Sequence, residues 1–511
     1  MTDAADLAIL NAEGHTLTDP DETFEAVAVR DGEIVRVDST YEVEFLVGTE
    51  TTVIDADGRT LLPGFVDAHT HMEALGQYLV HADLSGTASL DEAVETLARE
   101  ADDDREWLLG FGYDESDWPA NRYLTREDLD QVSTERPVVA MRVDMHTASL
   151  NSVALERLRA DLPEEDVQTE DGRPTGVVVE SATDPVWDRI DPDVAETREL
   201  LTAARDRAHE LGITGVHDMI RDSHAPRVYR ELDASDELDL RVRMNYWSDH
   251  LDAVLEAGLR SNHGSELVET GAIKSFTDGS IGGRTAKLSE PYADGEETGQ
   301  WVVDPDELRA LTERVDDAGL QVTYHAIGDE AVDLAVDAFE DCEAPGDSRH
   351  RVEHVELASD ETIERMADAG IVASCQPNFL RWADEDGLYE SRLGTERRRG
   401  SNRFRTILDS GAPLAFGSDV MPVGPLEGIE HAVTAPAESQ RLTVTEALRA
   451  YTRGAAYAGF DEDRLGTVEV GKRADLVLLE RSPWAVDPDA IADVDVAATL
   501  VDGDVVYDAL D

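Results

Sequence analysis

Short apolar runs recur through the central part of the sequence, and their number is the feature that most restricts the fold. Polar, helix-compatible segments such as PDELRALTERVDDAGL separate most of these runs. Eight apolar strands alternating with helices are what a barrel of parallel strands requires, because such strands are buried on both faces. We therefore predict an α/β fold built on a TIM (β/α)8 barrel. The runs are LLPGFVDAHTH, GITGVHDM, LDLRVRMNYW, TGAIKSFTDGS, LQVTYHAIGD, HRVEHVEL, GIVASCQPNF and APLAFGSDV.

The spacing of the runs predicts further domains. Between Glu73 and Gly212 the chain carries other apolar runs, RPVVAMRV and TGVVVES, and a structureless loop of that length would be unusual. Short strands joined by turns at both ends of the chain indicate one small β-sandwich domain formed by the two terminal segments. The predicted boundaries are 1–60 and 456–511 for the β domain and 61–455 for the barrel, with an insert over about 80–195.

The charge composition excludes several classes of partner. The chain carries 112 acidic residues against 44 basic ones, for a formal net charge of −68. A field of that sign repels nucleic acid and anionic membranes. The carboxylates are spread along the chain, and screening shortens to ~3 Å at molar salt, which favours a salt-adapted, halophilic protein over an acidic interaction surface. No apolar run approaches the ~18–20 residues that span a bilayer, and no signal-peptide pattern begins the chain, so we expect a cytoplasmic protein.

Two histidines in the stretch PGFVDAHTHME indicate a metal site. Residues i and i+2 of a strand point to the same face, so His69 and His71 project together and could bind one ion at ~2.0 Å from each ring. Two satisfied core histidines would give the same pattern. Three later runs, however, end in ligand-type residues, namely His325, His354 and Asp419. Because the carboxyl ends of barrel strands face the active site, this repetition favours a metal site there.

Lysine is rare in this sequence, which makes each lysine informative. The chain has only three: Lys274, Lys287 and Lys472. Lys274 lies within a predicted barrel strand, where a bare ammonium group is costly. Its neutral amine could instead take up carbon dioxide and form a carbamate, an oxygen ligand able to bridge two metal ions.

In order along the chain, the motifs are HTH, IKSFTDGS, HAIGD, RVEH and GSD. Their order resembles that of the amidohydrolase superfamily, and specifically of amidohydrolase family 3. The chain looks like the N-substituted formamide deformylases and their relatives in that family. The resemblance covers nearly the whole chain, including MHTASLNSVAL and DGRPTGVVVESA in the predicted insert and LGTVEVGKRADLVLLE near its end. The resemblance implies a metal-dependent hydrolase with two ions at the carboxyl end of the barrel.

The resemblance also implies a role for each motif residue. His69 and His71 would hold the first ion and His325 and His354 the second, with Lys274 bridging them as a carbamate and Asp419 completing the first ion's shell. Zinc suits this histidine-rich set, and manganese, iron or nickel would fit nearly as well. Two ions lower the pKa of a bridging water, whose hydroxide would attack the substrate carbonyl. Asp419 would pass the proton of that water to the departing amine.

The expected reaction is hydrolysis of a carbon–nitrogen bond other than a peptide bond, in a small N-substituted amide, formamide or cyclic amide.

Four further residues are candidates for the site. His146, in the insert, would face the active site by resemblance and act in catalysis through a hydrogen bond to the substrate or its oxyanion. Arg284 could meet a substrate carboxylate or an acidic neighbour, Trp118 could line the pocket or belong to the core, and His217 is either a site residue or a core histidine.

Two alternative functions remain open on the sequence. A mononuclear deaminase of nucleobase-like rings would use the same fold, although Lys274 argues against it because such deaminases lack a bridging lysine. A non-catalytic metal-binding regulatory protein would keep the fold, but every motif retains its ligand residue. Metal count distinguishes the two enzymes, and a broad amide panel tests catalysis. A homo-oligomer is compatible with a barrel of this kind.

Overall fold

The computed structural model describes residues 4–100, 105–420 and 422–510, and residues 101–104 of the predicted insert lie outside the described part. The chain divides into two compact units. The barrel unit comprises the described residues of 4–71, 205–222 and 229–510, and the insert unit those of 72–204 and 223–228.

Eight parallel strands form the centre of the barrel unit, and each one coincides with one of the eight apolar runs. Their order in the sheet is their order in the sequence. Nearly every residue in them is buried, as expected for strands that are covered on both faces. The prediction of a TIM barrel is therefore confirmed. The strands are β1 (Phe65–Thr70), β2 (Ile213–Ile220), β3 (Arg241–Trp247), β4 (Val268–Phe276), β5 (Gln321–Ala326), β6 (Arg351–His354), β7 (Val372–Cys375) and β8 (Leu414–Phe416).

Helices connect the strands, and local sequence signals define several of their ends. The helix after β6 begins after Ser359, whose hydroxyl accepts a hydrogen bond from the amide of Thr362 at 3.1 Å. It ends at Gly370, which has a φ of 67°. The α-helices of this unit are Thr40–Glu44, Leu251–Glu256, Pro305–Asp317, Asp329–Glu340, Pro345–Ser348, Asp360–Ala369, Leu388–Arg399, Phe404–Ser410, Pro425–Thr434, Val444–Arg449 and Ala455–Ala458. Shorter turns of 3₁₀-helix are Ser248–His250, Pro377–Trp382 and Pro488–Ala490, and Ala450–Gly454 is a π-helix.

Two further sheets of the barrel unit are built from the terminal segments, one from the N-terminal segment alone and the other from both ends of the chain. In one of them, strand Thr60–Pro63 pairs antiparallel with Leu476–Leu479, which joins the two terminal segments. Apolar side chains of both sheets, including Leu7 and Leu478, share one hydrophobic core, as in a β-sandwich. The four-stranded sheet has the order Glu33–Asp38, Ala26–Arg30, Leu7–Leu10, Thr52–Asp55, and the six-stranded sheet the order Asp504–Asp508, Val496–Val501, Leu476–Leu479, Thr60–Pro63, Glu13–His15, Thr23–Phe24.

The insert unit has a sheet and hydrophobic cores of its own. Its strands, in sheet order, are Val167–Glu170, Arg173–Val179, Thr147–Leu150, Val138–Arg142, Leu108–Tyr113 and Ala82–Asp83. Its α-helices are Met72–Val80, Leu90–Glu100, Arg126–Leu129, Ser152–Leu158 and Asp184–Ile190, and its 3₁₀ turns are Glu115–Asp117, Glu164–Asp166 and Glu180–Ala182. The chain changes unit at four points, and those after Ala204 and Val228 fall within helices Val194–Glu210 and Ala225–Ala234. Across the described residues of both units, no helix has the length and apolar character needed to cross a bilayer.

Candidate metal centre

Three of the predicted ligands meet at the junction of β1 and β8. The Nε2 atoms of His69 and His71 lie 3.4 Å and 3.2 Å from the same oxygen, Oδ1 of Asp419. Potential ligand atoms of all three residues lie within 4.8 Å of one another. The two histidines therefore project to one side, as the HTH pattern predicts, and the aspartate that follows β8 joins them.

The other two predicted histidines extend this cluster across the carboxyl ends of β5 and β6. The ring centroids of His325 and His354 lie 4.4 Å apart, and those of His354 and His69 lie 5.1 Å apart. The rings of His69 and His71 are 5.7 Å apart. Four imidazoles from three strand ends thus form a continuous group of potential metal ligands.

Each histidine has one ring nitrogen bonded to an oxygen atom of the protein. An oxygen acceptor holds the proton on that nitrogen, so the lone pair of the opposite nitrogen is left for a metal ion. His325 uses Nε2 in this way, and the other three use Nδ1. The pairs are His69 Nδ1 with Glu353 Oε2 (2.7 Å), His71 Nδ1 with the carbonyl of Met219 (3.1 Å), His325 Nε2 with the carbonyl of Gly279 (3.0 Å) and His354 Nδ1 with Gln376 Oε1 (2.7 Å).

Lys274, on β4, is the unusual member of the cluster. Its side chain is only 1% exposed, and its Nζ has no hydrogen-bond partner within the described part of the chain. Burial lowers the pKa of this amine from 10.5 to about 8, against the opposing charges of Glu353 and Asp419. A buried amine that gives up its proton this readily is suited to reaction with carbon dioxide.

Close approach of β8 to β1 positions Asp419. The amides of Ser418 and Asp419 both donate to the carbonyl of His69, at 3.1 Å and 2.7 Å. A Cβ atom at Gly417 would lie 2.4 Å from the amide nitrogen of His69, so only glycine fits between the strands. Asp419 and Val420 then turn away with φ values of 55° and 58°. Such left-handed residues cost about 1–3 kcal/mol each and persist where surrounding contacts hold them.

A second carboxylate, Asp278, organises the loops beside His325. It accepts hydrogen bonds from the amides of Lys287 (2.7 Å), Ile327 (3.1 Å) and Gly328 (2.8 Å). Burial raises the pKa of Asp278 to about 7, although these hydrogen bonds oppose the shift. The loop held by Asp278 includes Gly279, whose carbonyl accepts the proton of His325 Nε2.

Two predicted substrate residues in the barrel unit have protein partners. His217 lies within β2, which continues to Ile220, and its Nδ1 accepts a hydrogen bond from Arg351 at 2.8 Å. It is 3% exposed, which is the packing expected of a core histidine. Arg284 forms an ion pair with Asp294 at 2.7 Å. Of the two partners considered for Arg284, the structure provides the acidic neighbour, and binding of a substrate carboxylate stays a prediction.

The other two predicted residues lie in the insert unit. The side chain of His146 is 73% exposed, and its Nδ1 lies 3.9 Å from Glu180. Trp118 is 2% exposed, donates from its indole to the carbonyl of Thr87 at 2.8 Å and stacks on Tyr113. Trp118 therefore packs as a residue of the insert core, which was the alternative to a pocket wall. The catalytic role of His146 stays a prediction.

The structure adds residues that the sequence predictions omitted, chiefly Glu353, Arg351 and Gln376. Glu353 and Gln376 accept the Nδ1 protons of His69 and His354, and Arg351 binds Glu353. One sequence signal was available. Arg351 and Glu353 lie two residues apart in an otherwise apolar strand, and buried charges in such a position require partners.

A second cluster of ligand-type residues, formed by Asp316, Cys342 and His350, does not fit a metal ion. Nδ1 of His350 accepts a hydrogen bond from the amide of Val322 at 3.1 Å, so the proton of the neutral ring is on Nε2. That nitrogen faces Asp316 Oδ1 at 3.1 Å and donates to it. Neither imidazole nitrogen has a lone pair to offer, and the cluster is a closed hydrogen-bonding group.

The cluster around Lys274 does fit the divalent ions that its residues suggest. Imidazole nitrogens and carboxylate oxygens are the donors that zinc and similar ions prefer. The free ring nitrogens and the amine without a hydrogen-bond partner are groups that bound ions would satisfy.

The sequence profile of the amidohydrolase family matches residues 52–507. The chain belongs to the amidohydrolase family. The amidohydrolase YtcJ of Bacillus subtilis is 32% identical over 97% of this chain and 98% of its own length, and the N-substituted formamide deformylase of Arthrobacter pascens is 28% identical over 99% of both. A solved structure of a metal-dependent hydrolase from Pyrococcus furiosus is 30% identical, with a TM-score of 0.81 over 94% of this chain and 99% of that one.

As an amidohydrolase, the protein is a metal-dependent hydrolase that acts on carbon–nitrogen bonds. The predictions of the family and of an enzyme are therefore confirmed, and the non-catalytic alternative is set aside.

Proposed function

We propose that this amidohydrolase cleaves the carbon–nitrogen bond of a small N-substituted amide, formamide or cyclic amide, using two divalent ions joined by carboxylated Lys274. The observation that carries the proposal is the buried amine of Lys274, which has no hydrogen-bond partner in the described chain and lies in the strand next to β5, which carries His325. A lysine in this setting is costly unless it is modified or bound.

The residues divide between the two ions as the family resemblance implies. His69, His71 and Asp419 share one side of the cluster, because their potential ligand atoms are within 4.8 Å of one another. His325 and His354 would hold the second ion, and the Lys274 carbamate would supply an oxygen to both. Zinc is the proposed metal, since imidazole and carboxylate donors suit it.

Bound divalent ions would lower the pKa of a water molecule towards neutrality and polarise the substrate carbonyl. The task of Asp419 is to move the proton. Burial raises the pKa of its carboxyl, but the interactions with His69 and His71 outweigh this effect and hold the pKa below its usual range. An ionised Asp419 can take a proton from the attacking water and deliver it to the departing nitrogen.

Aromatic side chains next to the ligands support an apolar substituent on the substrate. Phe276 packs edge-on against His325, with ring centroids 4.8 Å apart, and Phe379 stacks on His354 at 5.8 Å. These rings would exclude water and contact an apolar group beside the cleaved bond. The proposed substrate is therefore a small amide with an apolar substituent, and neither nucleic acid nor a membrane is proposed as a partner of a chain with a net charge of −68.

A mononuclear deaminase is the second candidate. The compact set of His69, His71 and Asp419 could hold one ion without help from Lys274. In that case Lys274 would be structural, and the reaction would release ammonia from a ring carbon. The number of ions per chain distinguishes the two functions.

The test is metal content per chain by plasma mass spectrometry, on protein purified in high salt, followed by a panel of N-formyl amines, N-acyl amines and cyclic amides. We expect about two ions per chain and turnover of members of this panel. His325→Asn should lose one ion, whereas His431→Asn, on an outer helix beside Glu427, should lose none. About one ion per chain would favour the deaminase, and folded protein that stays empty after zinc and bicarbonate are added would contradict the proposal.

A further inference from the structure

A fully buried ion pair lies directly beside the metal-binding residues. Arg351 and Glu353 both have side chains that are 0% exposed, and both lie on β6. The Nε atom of Arg351 is 2.8 Å from Glu353 Oε1, and one of its terminal nitrogens is 2.6 Å from the same oxygen. A charge pair in a barrel interior is costly, so its retention calls for a physical reason.

Glu353 connects the pair to a predicted ligand. Its Oε2 accepts the Nδ1 proton of His69 at 2.7 Å, while Oε1 accepts from both Arg351 and the hydroxyl of Thr323. A carboxylate bonded to the outer nitrogen of a metal-binding histidine fixes the tautomer and the orientation of the ring. Here it leaves the Nε2 lone pair of His69 facing Asp419 and the proposed ions.

Arg351 connects the same pair to three other strands. Its guanidinium donates to the carbonyl of Ala68 at 2.6 Å, to the hydroxyl of Ser374 at 3.1 Å and to Nδ1 of His217 at 2.8 Å. Ala68 directly precedes His69 on β1. Because arginine can only donate, the Nδ1 atom of His217 must be an acceptor and its ring is neutral.

We propose that Arg351 and Glu353 are positioning residues of the metal centre, and that His217 completes their hydrogen-bonding chain rather than binding the substrate. The pair holds His69 in the tautomer and rotamer that expose Nε2. Arg351 acts through Glu353, whose negative charge it balances and whose carboxylate it orients. This inference rests on the proposed metal centre and assigns a role to residues outside the ligand set.

A second buried ion pair in the barrel unit provides a matched control. Arg241 binds Asp475 at 2.6 Å and 2.8 Å, with side chains 7% and 4% exposed. Arg241 also binds Asp502, and within the described part of the chain no hydrogen bond or ion pair joins these residues to a predicted ligand. Breaking either pair should destabilise the fold, because each leaves an unpaired buried charge. Only the substitutions that break the Arg351–Glu353 pair should weaken metal binding.

The experiment measures zinc affinity by competition with a chromophoric chelator, with protein in high salt and bicarbonate. Glu353→Leu and Arg351→Met should weaken zinc binding by about 10- to 100-fold, the usual effect of removing an outer partner of a ligand. Glu353→Gln should be less affected than Glu353→Leu, because its amide oxygen can still accept the proton of His69. Asp475→Asn should change the affinity less than twofold. The visible spectrum of the Co²⁺ form should shift in the first three variants and not in Asp475→Asn.

Thr323→Val provides a variant of nearly the same shape in case the charge variants do not fold. It removes the hydroxyl that donates to Glu353, and we expect zinc binding to weaken by about 2- to 10-fold. Folded variants that bind zinc as tightly as the unchanged protein, or no more weakly than Asp475→Asn, would overturn the inference while leaving the metal centre intact. If the unchanged protein binds no zinc, the proposed function fails first, so the two failures are distinguishable.

Discussion

Lys274 and Lys472 are both largely buried lysines in a chain that contains only three, yet their surroundings are opposite. In the loop before strand Leu476–Leu479, the Nζ of Lys472 lies 2.7 Å from the carbonyl of Glu462, 3.1 Å from that of Leu465 and 2.5 Å from the hydroxyl of Thr467. The ammonium group of Lys472 thus has three hydrogen-bond acceptors supplied by the protein. The Nζ of Lys274 has no such partner in the described chain.

The difference shows how a structural lysine can be told from a reactive one. Three donors matched by three acceptors stabilise an ammonium group and the loop that surrounds it. A buried amine that, like Lys274, has no hydrogen-bond acceptor in the described part of the chain lacks this stabilisation. We therefore predict that Lys472 stabilises the fold and that Lys274 takes part in the proposed chemistry, which gives opposite expectations for their removal.

The largest effect should follow from Lys274→Met, which keeps the side-chain stem and removes the amine. The carbamate bridge would be lost, and activity should fall at least about a hundredfold, since bound metal supplies several kcal/mol of transition-state stabilisation. Metal content per chain should fall from about two ions to one or none. Measurements of kcat/KM and of metal by mass spectrometry check both.

The same variant should not reduce the stability of the metal-free protein. Replacing a buried amine that lacks a partner by a thioether of similar volume removes a desolvated polar group. We expect the Tm of the metal-free variant to equal or exceed that of the unchanged metal-free protein. A clear fall in Tm would show that Lys274 is structural and would remove the distinction from Lys472.

Lys472→Met should have the opposite effects, a loss of stability without a loss of metal. Its removal leaves the carbonyls of Glu462 and Leu465 without their donor, and each buried polar group left unsatisfied costs about 1–3 kcal/mol. We expect a loss of about 2–4 kcal/mol of unfolding free energy, seen as a lower Tm, with metal content unchanged. Val470→Ala, an exposed position in the same loop, is the control and should change little. Loss of metal in Lys472→Met would contradict the assignment.

Small carboxylates should restore activity to a Lys274 variant by replacing the missing carbamate. In Lys274→Ala, formate, acetate or propionate could enter the space left by the side chain and supply the bridging oxygens. We expect activity to recover about tenfold, equivalent to about 1.4 kcal/mol, and metal content to rise towards two ions per chain. Lys472→Met should show no response to these acids. An absence of rescue at any acid concentration would argue against an oxygen bridge from residue 274.

The barrel and the polar residues clustered at the carboxyl ends of its strands could be predicted because burial constrains the sequence directly. Parallel strands covered on both faces are continuous apolar runs, and polar residues at their ends are therefore conspicuous. His325, His354 and Asp419 were recognisable on that basis. The same rule left two interpretations of His217 open, and the structure shows that Asp218, Met219 and Ile220 extend β2 beyond it and leave the histidine inside the barrel.

The partners that orient the histidines could not be predicted in the same way. Two of them are backbone carbonyls, those of Met219 and Gly279, and a carbonyl has no sequence signature. The other two, Glu353 and Gln376, act on rings from different strands. Which ring each one meets depends on the stagger of neighbouring strands, which is set by three-dimensional packing rather than by local pattern.

Replacing Lys287, the third lysine, should have the smallest effect, and it tests whether the effects expected at Lys274 and Lys472 are specific to those positions. Its Nζ lies 2.7 Å from Glu330, in a pair whose side chains are 17% and 42% exposed. Partly exposed ion pairs contribute about 0–1 kcal/mol, so Lys287→Gln should change the unfolding free energy by less than about 1 kcal/mol. Its backbone amide binds Asp278 near the metal centre, but its side chain does not. Activity and metal content should therefore stay unchanged, and a loss of either would show that removing any of the three lysines disturbs the centre indirectly.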